Sequence, residues 1–164
     1  MKQQERVRKK ASILIPAYNE EKSIPELYQD IVQNIETIQD YTWELWFVND
    51  GSSDQTEQVI LDLIEVDTRV HLISFRRNFG KSAALQAGFR HVKGDIIFTM
   101  DSDMQDDPKE FSRFIEKMDE GYDLVVGWKQ NRLDPAEKTL PSKLFNAVTS
   151  KISGIELGDR SPSY

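Results

Sequence analysis

Apolar positions along the chain alternate between two kinds of spacing. Residues 12–17 form a short β-rich run around Ile13, Leu14 and Ile15, which predicts a strand ending near Pro16. Residues 24–38 carry Ile24, Leu27, Ile31, Ile35 and Ile38 at helical spacing. A second strand is expected over 43–48, followed by the polar run Asn49-Asp50-Gly51-Ser52-Ser53-Asp54. Ser53 or Asp54 can cap the next helix, whose apolar face reads as Val59, Leu61, Leu63 and Ile64. A third strand covers 70–75. A helix of small residues (Ala83, Ala84, Leu85, Ala87, Gly88) covers 81–92, and a fourth strand covers 95–100. Pro108 opens a helix to about Glu120, because proline suits the first turn. A fifth strand over 122–128 and a last helix over 138–152 complete the pattern, and 154–164 shows no clear period.

Strand and helix thus alternate about five times, which predicts an α/β fold with a mostly parallel sheet covered by helices on both faces. There is no internal repeat or linker, and 164 residues suit one domain with an ordinary core. With 38% hydrophobic and 30% charged residues the chain is globular rather than disordered. The net charge of −7 argues against a nucleic-acid partner. The absence of cysteine excludes disulfides and thiolate metal sites. No stretch approaches the ~20 apolar residues of a membrane-spanning helix. The N-terminus is basic (Lys2, Arg6, Arg8, Lys9, Lys10), but Ile13-Leu14-Ile15 is too short for a secretory core. These features point to the cytoplasm. The basic segment reads either as a solvated terminus or as a contact with an anionic membrane surface.

The chemistry gathers at the predicted strand ends. The most informative cluster is Asp101-Ser102-Asp103, where an apolar run delivers two carboxylates to the carboxyl edge of a sheet. Two carboxylates can hold a hard divalent cation that bridges to phosphate oxygens. Three more clusters end the other strands: Pro16-Ala17-Tyr18-Asn19-Glu20, the Asn49–Asp54 run, and Arg76-Arg77-Asn78-Phe79-Gly80-Lys81. Residues 129–134, after the expected fifth strand, form a further cluster. Each cluster alone passes for a turn or a helix cap. Together they would line one edge of one sheet. Arg76, Arg77, Lys81 and Arg132 could add positive charge for phosphates, Asp50 could accept from a base N–H, and Tyr18 offers an aromatic face. Neither Gly-x-Gly-x-x-Gly after the first strand nor Gly-x-x-x-x-Gly-Lys-Ser/Thr is present, so phosphate binding must lean on metal and side chains.

Four segments resemble inverting GT-A glycosyltransferases of family 2, within them the polyprenyl-phosphate branch of dolichol-phosphate mannose synthases and undecaprenyl-phosphate glucosyltransferases. They are Ile15–Glu20, Val48–Thr56, Arg77–Leu85 and Met100–Pro108. The resemblance implies a GT-A fold, an Mg²⁺ or Mn²⁺ cofactor and a nucleotide diphosphate sugar as donor. It implies that Pro16, Tyr18 and Glu20 line the nucleotide pocket, that Asp50 contacts the base, and that Lys81 sits near the nucleotide or sugar. Asp101 and Asp103 would bind the metal through the diphosphate, with Ser102 and Gln105 beside them. Arg132 matches a basic catalytic position, and Asp159 the acceptor-side acid or base.

The reaction so implied is transfer of a sugar to a polyprenyl phosphate with inversion. Alternatives are a cell-wall or capsular saccharide acceptor, a nucleotidyltransferase, or a nucleotide-sugar-binding module without catalysis. The expected organisation is a basic segment over 1–11 and a catalytic domain over 12–164, truncated at its acceptor and membrane part. Contact with the cytoplasmic face of a membrane is expected of the longer protein, and a homo-oligomer is compatible with the sequence.

Overall fold

The structure is a computed structural model that describes residues 8–127. These belong almost entirely to one compact unit, Met1–Val125. Four strands, β1 (Lys9–Ala17), β2 (Tyr41–Asn49), β3 (Val70–Ser74) and β4 (Ile96–Thr99), form a sheet in the order β3-β2-β1-β4. All neighbouring strands are parallel. The connections are α1 (Ile24–Ile35), α2 (Thr56–Val66) and α3 (Lys81–Phe89). After β4 a 3₁₀ turn, Pro108–Glu110, leads into α4 (Phe111–Asp119). The α/β class expected from the alternation is therefore what the chain adopts.

Burial follows the local pattern in α1, where Ile24, Leu27, Ile31 and Ile35 are all buried. They join Ile13 and Ile15 of β1, Leu45 and Phe47 of β2, and Phe111 and Ile115 of α4 in the larger core. Trp43 stacks on Phe98 and Phe111 with ring centroids 5.7 and 6.0 Å apart, which fixes the element that follows β4 to the sheet. On the opposite face Leu14, Val48 and Ala84 of α3 form a smaller core. The small residues of α3 allow a close approach. A Cβ on Gly88 would lie 2.1 Å from a Leu14 methyl carbon.

Several sequence expectations need correction. In α2 the fully buried apolar residue is Ile60, and Leu61 is 41% exposed. Ile60 lies on the same helical face as Val59, Leu63 and Ile64, which pack against the core. β1 starts at Lys9, so Lys9 and Lys10 are strand residues. α1 ends at Ile35 and α3 at Phe89, yet Ile38 and Val92 still pack from the following turns. The fifth strand is absent over 122–127, and Tyr122, Leu124 and Val126 are exposed. Alternating apolar residues make a strand only where a sheet edge accepts them. Trp128 and the helix expected over 138–152 lie outside the described residues.

The topology decides where a ligand can sit. β1, β2 and β3 step one way across the sheet, with α1 and α2 on the face of the larger core. The chain then returns along the other face through α3 and places β4 against β1. The direction of winding reverses between β1 and β4. In open α/β sheets the crevice beyond the carboxyl ends at such a reversal is the usual ligand site.

One buried and one half-buried carboxylate brace the unit away from that crevice. Glu44 of β2 accepts hydrogen bonds from Ser12 Oγ (2.6 Å) and Lys93 N (2.9 Å), and pairs with Lys10 at 2.5 Å. Burial alone would raise its pKa, but these bonds outweigh it and hold the group at about 2. Asp67, beyond α2, receives the Arg69 guanidinium and the Tyr28 hydroxyl of α1 at 2.8 Å. The Arg69 bonds, acting against burial, hold Asp67 at about 2.

Candidate functional site

Registry brings the strand ends level. Ala17, Asn49 and Ser74 lie side by side at the carboxyl ends of β1, β2 and β3. β4 is paired through Thr99 with Leu14, and Ser102 Oγ continues the alignment by donating to the Pro16 carbonyl at 3.0 Å. Beyond these ends opens a cleft of about 290 Å³. Pro16, Ala17, Tyr18 and Glu20 form one wall, after β1. Asp50 lies below, after β2. Asn78, Gly80 and Lys81 enter from the start of α3, and Asp101, Ser102 and Asp103 come from the loop after β4.

Many motif residues turn out to build this cleft rather than face it. The Asp50 carboxylate accepts from Phe79 N and Gly80 N, both at 2.8 Å. Gly51, at φ +68°, lies so close to the same loop that a Cβ would come within 2.2 Å of the Arg77 carbonyl carbon. Asn49 holds Ser52 N at 3.0 Å and Ser74 Oγ at 3.0 Å. Asn19, itself at φ +56°, accepts from Ser53 N at 2.8 Å, and its own N–H donates to Ser52 Oγ at 2.9 Å. Glu20 N donates to Thr56 Oγ1 at 2.8 Å. Asp54 accepts from Thr56 N at 3.0 Å and so caps α2 from two residues before its first residue. Burial opposes ionisation of Asp54, but the Thr56 bonds prevail and lower its pKa. The whole Asn49–Thr56 segment is thus a latch between the β1 and β3 loops.

The acidic loop is shaped by its own backbone. Asp101 N donates to Asp106 Oδ2 at 2.8 Å, Gln105 N donates to Asp103 Oδ1 at 3.1 Å, and Met104 sits at φ +63° between them. Asp107 caps the 3₁₀ turn by accepting from Lys109 N at 3.0 Å. The Asp101 carboxylate forms an ion pair with Lys81, the first residue of α3. Among the described residues no group of three or more His, Cys, Asp or Glu side chains is placed to hold a metal. Asp101 and Asp103 are hard oxygen donors on one cleft wall, an incomplete shell that suits a cation also ligated by phosphate oxygens.

Of the residues expected at a donor site, Pro16, Tyr18, Glu20, Asp50, Lys81, Asp101, Ser102 and Asp103 all line this cleft. Gln105 is exposed and lies off its lining, as do Arg76 and Arg77. Arg132 and Asp159 lie outside the described residues. Ala17, Asn78 and Gly80 line the cleft without having been assigned a part. Their signal was membership of two of the strand-end clusters. The beginning of α3 was also missed as an electrostatic element. It starts at the cleft and turns the positive end of its dipole there, although no glycine-rich phosphate motif precedes it.

Comparison with known proteins agrees with this geometry. The sequence pattern of "Glycosyl transferase family 2" matches residues 12–162. The chain belongs to that family. It is 39% identical over 152 residues to an undecaprenyl-phosphate 4-deoxy-4-formamido-L-arabinose transferase of Salmonella choleraesuis. The match covers 92% of this chain and 46% of the relative, so this family 2 chain spans less than half the length of the curated relatives it matches. Among solved structures, the mannosyltransferase PcManGT from Pyrobaculum calidifontis, in complex with GDP-Man and Mn²⁺, superposes with a TM-score of 0.53 at 26% identity. That match covers 58% of this chain and 28% of the other. TarS 1-349 of S. aureus gives a TM-score of 0.58 at 23% identity, over 77% of this chain and 38% of that one. The fold of this family 2 member is accordingly the GT-A type.

Proposed function

We propose that the cleft is the donor site of an inverting glycosyltransferase that moves a sugar from a nucleotide diphosphate sugar to a polyprenyl phosphate. The observation that carries this reading is the convergence of an aromatic face (Tyr18), a cation (Lys81) and two carboxylates (Asp101, Asp103) at the winding reversal of the sheet. The names of the Salmonella relatives support the lipid-phosphate acceptor, and the GDP-Man and Mn²⁺ bound to the Pyrobaculum enzyme support the donor and the cation.

Each residue has a physical part. Tyr18, 47% exposed at the cleft lip, offers a ring on which a base can stack. Asp50 holds the Phe79-Gly80 backbone through both carboxylate oxygens, and a base N–H would have to share one of them. Asp101 and Asp103 would hold Mg²⁺ or Mn²⁺, which supplies Lewis-acid stabilisation of the departing diphosphate. Lys81 and the start of α3 add positive potential on the same side, where charge develops on the leaving group. The acceptor phosphate is ionised near pH 7, so its oxygen can attack the anomeric carbon opposite the leaving diphosphate without a strong base. Arg132 is assigned to the phosphates as a further cation, and Asp159 to the acceptor side. Such a reaction belongs at the cytoplasmic face of a membrane. Among the described residues no helix is long and apolar enough to cross one.

A thermal-shift panel of UDP-glucose, UDP-GlcNAc, GDP-mannose, UDP and GDP, each with and without Mn²⁺, tests the donor half. Stabilisation by one nucleotide series that requires Mn²⁺ supports the reading, and a flat response across the panel rejects it. Transfer of label from that sugar nucleotide to undecaprenyl phosphate tests the acceptor half.

A further inference from the structure

The ion pair between Lys81 and Asp101 joins two parts of the cleft that have different tasks. Lys81 is the first residue of α3, and Asp101 follows β4, 20 residues later. Both line the same cleft. The Lys81 ammonium lies directly on Asp101 Oδ1, an oxygen that a divalent cation held by Asp101 would also draw on. A divalent ion on Asp101 and an ammonium on the same oxygen repel one another at close range. A divalent ion arriving there weakens the hold of Asp101 on the ammonium.

We propose that Lys81 is the resident counterion of Asp101, and that it passes to the nucleotide diphosphate when the donor and its cation enter. The inference rests on the donor-site reading above. The backbone of Lys81 is fixed, because Gly80, the residue before it, is clamped through its N–H by Asp50 at 2.8 Å. Its side chain is not packed in place, being 58% exposed. A lysine has a flexible four-carbon stem and a compact charge, so it can change partners while its Cα stays still. A diphosphate in the cleft is the nearest new anion to offer it. The exchange conserves charge pairing at each stage. Without donor, Lys81 neutralises Asp101. With donor, the divalent ion sits on Asp101 and Asp103, and Lys81 sits on phosphate.

One consequence is a coupling that carboxylates alone would not give. The cation alone must displace Lys81 and leave the ammonium without its partner. The cation arriving with a diphosphate gives the ammonium a new one. Lys81 therefore weakens binding of the free ion and strengthens binding of the ion together with the nucleotide. It acts as a positioning residue for the metal site through Asp101.

The test is calorimetric titration of Mn²⁺ into the wild-type chain, K81M and K81R, without nucleotide and then with saturating UDP or GDP. An exposed ion pair contributes roughly 0.2–1 kcal/mol, so K81M should bind Mn²⁺ alone up to about five-fold more tightly. Loss of a charged hydrogen bond to phosphate should lower the gain in Mn²⁺ affinity conferred by nucleotide by about tenfold or more. K81R should restore part of that gain. In the unmutated chain, the Lys81 side-chain resonances should shift on adding nucleotide with Mg²⁺, which needs no variant to fold. Equal Mn²⁺ affinity in K81M and wild type, with nucleotide-dependent binding intact, overturns the exchange and leaves the donor site standing. So does a uniform rise in both states, which reports only a deleted charge. Absence of nucleotide-dependent Mn²⁺ binding in the wild type removes the donor reading and this inference with it.

Discussion

Asp50 and Gly80 are bound to one another through the Asp50 carboxylate and the Gly80 N–H, 2.8 Å apart, and the same carboxylate takes the N–H of Phe79 at 2.8 Å. The residue is 3% exposed, so the loop that delivers Lys81 hangs on a buried acceptor. Asp50→Ala leaves two N–H groups without that partner. Bonds to a charged acceptor contribute ~1.5–3 kcal/mol each, so the variant should lose at least about 2 kcal/mol in urea denaturation. Nucleotide affinity should fall with it. Unchanged stability would contradict the clamp.

Gly51→Ala should be similarly costly for a different reason. The position has φ +68°, and the added carbon would meet the Arg77 carbonyl carbon at 2.2 Å. Backbone cannot move aside as a side-chain tip can. A loss of about 2–3 kcal/mol is expected from the overlap and the left-handed conformation together, read from the shift of the denaturation midpoint.

Asp103→Asn should keep the fold and remove the metal response. Asp103 is exposed, and its Oδ1 accepts from Gln105 N, a bond an amide oxygen can also accept. The melting temperature without ligand should change by no more than about 2 °C, since exposed substitutions stay within ~0.5 kcal/mol. The additional stabilisation by Mn²⁺ with UDP or GDP should disappear. Its survival at wild-type size would exclude Asp103 as a ligand.

Acid should weaken the unit through Glu44 and Asp67. Both have folded-state pKa values of about 2, below their ordinary values of 4.5 and 3.8. Their contribution is complete above the ordinary values and is lost as pH falls toward about 2. Stability should therefore decline between roughly pH 5 and 2. Glu44→Gln should flatten that decline while lowering stability at pH 7 by ~2 kcal/mol, since it loses a charged acceptor of several bonds. Denaturation midpoints measured across this range give both numbers. An unchanged acid profile in the variant would show that Glu44 does not carry it.

What the sequence could determine alone was whatever depends on neighbours along the chain. The 24-27-31-35 spacing of α1 produced a helix buried on that face, because the period of a helix is a local property. The runs of β-branched and aromatic residues produced β1 to β4, and Pro108 opened the turn into α4. The strand-end clusters were readable for the same reason, and the family followed from them. Tertiary structure decided what depends on distant neighbours. The order β3-β2-β1-β4 set which strand ends meet, and hence that Lys81 faces Asp101. Residues of one type took opposite parts, with Asp50 turned to the loop backbone and Asp54 capping α2. The alternation at Tyr122, Leu124 and Val126 found no sheet edge, and Leu61 was left outward while Ile60 went in. Burial of a side chain, and the partner of a charge, are set by surfaces that exist only once the sheet has assembled. That is why most residues of the cleft were legible in the chain and their pairings were not.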